Sequence, residues 1–196
     1  MKRRRFSLEV RPGAVVLLSG LYFLLPLRWC ARLALTVTVH ELGHVAALIL
    51  CGAEVCGLRM EGCGLVLRCT PTEGALRTVT AALAGPAAGA GLFCILRGLG
   101  YIACAELSLL FSCVNLLPVL PLDGGRILLG LMTMLFGART GERIAYRISI
   151  AITVLLLIAG TVLAFNNGSK APAAAAIWLM LAQRNGGAEL FKEKEC

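Results

Sequence analysis

From 148 to 165 the chain carries no charged side chain, and from 78 to 96 it carries none either. Each run is close to the roughly 20 apolar residues that a helix needs to cross a bilayer. Cutting the chain at its charges gives further candidate crossings at 13–27, 33–50, 99–136 (with an interruption) and 171–183. The expected fold class is therefore an all-α polytopic membrane protein with about six transmembrane helices. Composition supports this: 58% of residues are hydrophobic and 15% charged, against roughly 45–50% and 25% in a soluble domain. Those values exclude both a soluble globular domain and a disordered chain. The 22 glycines and the 6% aromatic content suit helices packed backbone to backbone in lipid. At 196 residues the expectation is a single membrane-embedded domain over 1–196 with no C-terminal regulatory domain.

The formal charge of +8 would suggest nucleic acid if the basic residues shared a soluble face. Apart from Lys2 to Arg5 they instead punctuate the apolar runs, so no nucleic-acid partner is expected. With the N-terminus inside, 1–12, 51–77, 137–147 and 184–196 face the cytoplasm and hold fourteen of the 19 Lys and Arg. Arg28, Arg32, Arg97 and Lys170 fall outside, and Arg126 falls in the membrane region. The bias predicts a multi-pass protein of the cell membrane with both termini cytoplasmic and the lipid bilayer as its partner. No A-x-A cleavage site follows the first apolar run, which reads as a retained span. The nine cysteines are odd in number and scattered through apolar stretches, which argues against a disulfide framework. Cys51, Cys56, Cys63 and Cys69 contain no C-x-x-C pair, which argues against a zinc knuckle.

Between Cys51 and Arg77 the pattern changes. Glycines stand at 52, 57, 62, 64 and 74, and alternation on either side of Glu61-Gly62-Cys63-Gly64 predicts a small cytoplasmic β-hairpin after the second helix. An isolated hairpin is marginal in water, so this one needs the bundle or a bound strand.

The sharpest chemical signal is His40-Glu41-Leu42-Gly43-His44 within the second crossing. Residues four apart in a helix stack on one face, so both imidazoles can reach one metal. The adjacent Glu41 is placed to take a proton from water as a general base. These are the only two histidines in the chain. A chance match with histidines satisfied in a helix interface is the bland alternative. It is disfavoured because a carboxylate near the bilayer centre costs about 3 kcal/mol even on the mildest scale and persists mainly where it functions. Catalytic zinc usually takes three protein ligands and an open position. Asp123, the only aspartate, lies deep in the apolar segment Asn115-Leu116-Leu117-Pro118-Val119-Leu120-Pro121-Leu122-Asp123-Gly124-Gly125-Arg126. The prolines and the glycine pair are expected to prevent a regular helix there. Irregular backbone at membrane depth is tolerated where it is covered or lines a watery cavity. Asp123 therefore reads as the third ligand, with helix capping as the alternative.

His40 to His44 together with Asn115 to Gly125 resembles the site-2 protease family of intramembrane zinc metalloproteases. The Asn-Leu-Leu-Pro-x-x-Pro-Leu-Asp-Gly-Gly form looks most like the stage IV sporulation FB-type branch. The resemblance implies a six-span fold, Zn²⁺ held by His40, His44 and Asp123, and Glu41 as general base. It also implies a membrane-tethered protein substrate, in that branch a sigma-factor precursor. Ala84-Gly85-Pro86-Ala87-Ala88 is similar to the family's Gly-Pro element, but the usual downstream Asn is Gly89 here. The likeness covers about residues 33 to 136 and includes no nucleotide-binding regulatory domain. Asn115 is a candidate substrate or oxyanion contact, its alternative being an amide that satisfies backbone groups freed by Pro118 or Pro121. Arg126 reads as snorkelling to the cytoplasmic surface. A regulatory membrane protein remains open as a partner, and so does another regulatory or signal-peptide substrate. A metal-ion transporter would not need Glu41 beside its ligand and would show polar residues along a path, where only Thr78, Thr80 and Glu106 stand nearby. An inert scaffold would not need all four site residues.

Overall fold

Pro26 has no amide hydrogen to lose and presets the backbone for the helix that follows it, Leu27–Leu50 (α1). That helix starts earlier than the expected crossing at 33. Arg28 and Arg32 were expected in a loop but stand in its first turns, with the Arg32 guanidinium 4.8 Å over the Trp29 ring. A long basic side chain can lie along a helix end while its charge reaches water, so charge alone does not end a helix. The computed structural model describes residues 7–10, 19, 26–52, 55–61, 64–69, 74–167, 174, 177–181 and 183. The expected crossing at 13–27 lies outside these apart from Ser19, Pro26 and Leu27, and that at 171–183 is described only in part.

The chain divides into two compact units, Met1–Asn115 and Leu116–Cys196. In the first unit, strand Ser7–Val10 (β1) pairs parallel with Val55–Glu61 (β2), and β2 pairs antiparallel with Gly64–Cys69 (β3). The sheet order is β1-β2-β3, so a small sheet, to which β1 adds a strand, accompanies the helices. Helices Ala75–Gly98 (α2) and Ile102–Asn115 (α3) follow. Gly100, at φ +82°, turns the chain between them. The Tyr101 and Gly100 amides donate back to the Leu96 and Arg97 carbonyls, a Schellman closure that a side chain at 100 would strain. Leu96, Cys104 and Ala105 pack beneath that turn with Leu92 and Phe93.

In the second unit, Asp123–Phe136 (α4) and Ala138–Asn167 (α5) pack across a turn at Gly137. Among the residues α5 buries, Gly141, Ala145, Ser149 and Thr153 recur every fourth position. The expected interrupted crossing at 99–136 is two helices, α3 and α4, of 14 residues each. At 1.5 Å per residue each is about 21 Å long, short of the roughly 30 Å hydrocarbon core. Among the described residues, α1, α2 and α5 are long and apolar enough to cross a membrane. Of the expected crossings, that at 13–27 lies mostly, and that at 171–183 partly, outside the described residues.

Burial is inverted relative to a water-soluble bundle. The helices enclose Thr36, His40, His44, Ser108, Ser112, Ser149 and Thr153, while Leu42, Leu50, Ile95, Leu110 and Leu155 point outward. Small and polar residues inside and large apolar ones outside suit a lipid surround, where apolar burial supplies little drive and close packing supplies more. Gly43 shows the closeness required. A Cβ there would come within 2.6 Å of the Ala84 carbonyl oxygen and 2.7 Å of the Ala88 methyl. Gly43→Ala gains up to about 1 kcal/mol of helix propensity, but forcing a methyl into a filled contact costs about 1–3 kcal/mol. A lower thermal midpoint in detergent is therefore expected, and an unchanged or raised midpoint would contradict this packing.

Candidate metal centre

Thr36, His40 and His44 are the residues that α1 buries, at intervals of four, so one stripe of the helix faces inward. His40 Nε2 and His44 Nε2 lie 3.2 Å apart, with the rings edge to face and their centroids 4.8 Å apart. Phe111 of α3 closes on His40, ring centroid to ring centroid 5.1 Å. Across from them, His44 Nδ1 is 2.8 Å from the Ala81 carbonyl of α2. A carbonyl only accepts, so Nδ1 carries the proton and the neutral ring turns its lone pair to Nε2. This is the orientation a metal-binding imidazole takes when a backbone carbonyl fixes its tautomer.

Space at the two nitrogens is kept by Gly85. A Cβ on that residue would stand 2.3 Å from His44 Nε2 and 2.8 Å from His40 Nε2. Two convergent imidazole nitrogens, one of them oriented by a carbonyl, and a gap that a methyl would fill match the donor chemistry of a zinc-type ion. Glu41 follows His40 directly and is half-buried.

In the second unit, Asp123 is 6% exposed and is the first residue of α4. Its position differs from the capping alternative, because the N-cap is Leu122 and no side chain caps it. A carboxylate in the first turn is favoured by the helix dipole. The glycine pair also plays a different part from the one expected. Gly124 and Gly125 do not prevent the helix; they form its first turn. A Cβ on Gly124 would lie 2.1 Å from the Leu116 carbonyl oxygen, and one on Gly125 would lie 2.5 Å from the Leu120 nitrogen. The irregular segment is confined to 116–122, with a cis bond at Leu120–Pro121, and the glycines let it lie against the start of α4.

Asn115 ends α3, half-buried, and its side-chain amide donates to the Phe111 carbonyl at 3.0 Å. One of its two amide hydrogens is thus engaged within its own helix.

Sequence reading passed over Thr36, Ser108 and Ser112. Thr36 Oγ1 is buried with no hydrogen-bond partner among the described residues. Its signal was available, since it lies four residues before His40. Gly89, which replaces an expected Asn, sits against α3, where a Cβ would come 2.1 Å from Ser112 Oγ. Ser108 Oγ donates to the Gly89 carbonyl at 2.9 Å, so the polar groups at this place come from α3.

The sequence model of Peptidase family M50 matches residues 74–158, a stretch that includes Gly85, Asn115 and Asp123 and leaves out the histidine pair. No curated protein matches the chain. The structure is similar to the site-2 protease from Methanocaldococcus jannaschii, with a TM-score of 0.69 and 21% identity. The match covers 94% of this chain and 92% of that one. The two share a fold.

Replacing Gly85 with Ala puts a methyl onto the histidine nitrogens while leaving the rest of α2 a good helix. The expected outcome is loss of bound zinc on metal analysis of the purified protein, with helical content retained. Full zinc content in the variant would refute the crowding.

Proposed function

We propose that this chain is a zinc metalloendopeptidase that cuts a membrane-tethered protein within or beside the bilayer. The observation that carries this reading is the pair of Nε2 atoms 3.2 Å apart, kept clear by Gly85, with the His44 ring oriented through Ala81. Asp123 completes the ligand set in this reading. Like the histidines it is buried, and each of the three offers one atom of a type zinc accepts. The fold match spans both units, and the family match includes Asp123, so both support the assignment.

Zinc bound there would make water acidic near pH 7 and stabilise negative charge on an attacked carbonyl. Glu41, beside the first ligand, takes the proton of the attacking water and returns it to the departing amine. The second amide hydrogen of Asn115 is left to steady the substrate carbonyl or the oxyanion.

A helical substrate shields its peptide bonds and must be extended before it is cut. β2 is flanked by β1 and β3, whereas β3 is paired with β2 alone in the described sheet. In this reading the substrate adds as a strand along β3. The chain is a single catalytic domain crossing the membrane about six times, with the sheet and both termini on the cytoplasmic side. The form of 115–125 favours a sporulation sigma-factor precursor as substrate; another regulatory or signal-peptide substrate would use the same residues.

Glu41→Gln is expected to keep zinc and to lower cleavage of a tethered substrate by about 10²–10⁴-fold, the usual worth of a positioned base. His40→Ala and Asp123→Ala are expected to lose the metal as well. A metal-ion transporter predicts instead metal uptake into vesicles with no cleavage that depends on Glu41. Replacing 53–69 with a short Gly-Ser linker is expected to reduce cleavage at unchanged zinc content. Undiminished cleavage would sink the role given to the sheet.

A further inference from the structure

Three amides lie between Pro118 and Asp123, since neither proline has one. Val119 donates to the Leu117 carbonyl at 2.7 Å and Leu122 to the Val119 carbonyl at 2.8 Å, so two of them are satisfied within the loop. The third, Leu120, donates to Ser149 Oγ of α5 at 2.8 Å. The same hydroxyl oxygen accepts a hydrogen bond from Gln183 Nε2. Thr153 Oγ1, one turn further along α5, stands 3.2 Å from Gln183 Oε1 and 2.9 Å from the Ser149 carbonyl. Ser149, Thr153 and Gln183 are 0%, 2% and 5% exposed. An all-apolar contact would pack this interface without polar atoms. A buried polar group that loses its partner in lipid is costly, so such a network holds its members to one geometry.

We infer that Ser149 and Gln183 are positioning residues for Asp123. The Leu120 amide nitrogen rests on the first turn of α4, where a Cβ on Gly125 would approach it to 2.5 Å. Asp123 is three residues beyond Leu120 and begins that same turn. The hydroxyl of Ser149 thus sets where the Leu120 peptide lies, and the peptide sets the turn from which the carboxylate projects. Gln183 lies far along the chain from this loop and reaches it, among the described hydrogen bonds, through Ser149. The C-terminal segment thereby acts on the geometry of a metal ligand that it does not itself supply. The inference rests on the assignment of Asp123 as a zinc ligand.

The test is the rate at which zinc leaves the detergent-solubilised full chain to an excess of chelator, with thermal unfolding measured in parallel. Ser149→Ala and Gln183→Met, the second close to isosteric, are each expected to release zinc about tenfold faster, as loss of one net hydrogen bond would do. The double variant is expected to be no faster than Ser149→Ala, because both changes act through one hydroxyl. Ser149→Thr keeps the hydroxyl and is expected to release zinc as the wild type does. Lower thermal midpoints with wild-type release from both single variants would overturn the inference and leave a merely structural network. Additive effects in the double variant would overturn the route through Ser149. If Ser149→Ala does not fold, Gln183→Met against wild type decides the same question. Asp123→Ala separates the two levels: wild-type zinc content and release in it defeat the ligand assignment, whereas zinc lost from it with wild-type release from Gln183→Met defeats only the positioning role.

Discussion

The first unit depends on how closely α2 can approach α1. Two glycines, one on each helix, remove the Cβ atoms that would hold the backbones apart: Gly43 meets the Ala84 carbonyl, and Gly85 meets the histidine rings. At that separation the Ala81 carbonyl reaches His44 Nδ1 at hydrogen-bond distance. A slightly wider spacing would lose that bond and with it the tautomer that turns Nε2 inward. Helix packing and the orientation of the His44 ring are therefore set by one contact. In lipid, where apolar contact between helices gains little over apolar contact with solvent, such close approach is also a main source of cohesion.

The second unit solves a related problem by different means. Two prolines interrupt the helical ladder ahead of Asp123, and the chain must place the freed backbone without water. Part of the answer is local, through the Val119 and Leu122 amides, and part comes from α5 and Gln183. Gly124 and Gly125 allow the loop to lie directly on the helix it precedes. The Asp123 carboxylate consequently emerges from a closely packed turn.

Much of the candidate centre was legible in the sequence because its signals are local. His40 and His44 are four apart on one helix, and Asp123 is the only aspartate, set among prolines and glycines. The helical character of the long uncharged runs was legible for the same reason. Their ends were not, since Arg28 and Arg32 have the charge of loop residues although they stand in α1. The glycine pair at 124–125 was misread as a break because its purpose, room for residues 116 to 120, appears only when the loop folds back. The parallel partnership of β1 with β2 joins residues about 50 apart in the chain and leaves no local mark. Ser149 and Gln183 were invisible for the same reason: a serine in an apolar run acquires meaning only from the amide that it meets.

The contact between Gly89 and Ser112 makes these two positions alternatives. A side chain at 89 would need the volume that the Ser112 hydroxyl fills, because the two would otherwise stand 2.1 Å apart. An amide side chain can therefore enter α2 at 89 only if the Ser112 hydroxyl turns away or is lost. The two sites form an exchangeable pair, and related chains that carry a larger residue at one should be found, on comparison, to carry a smaller residue at the other.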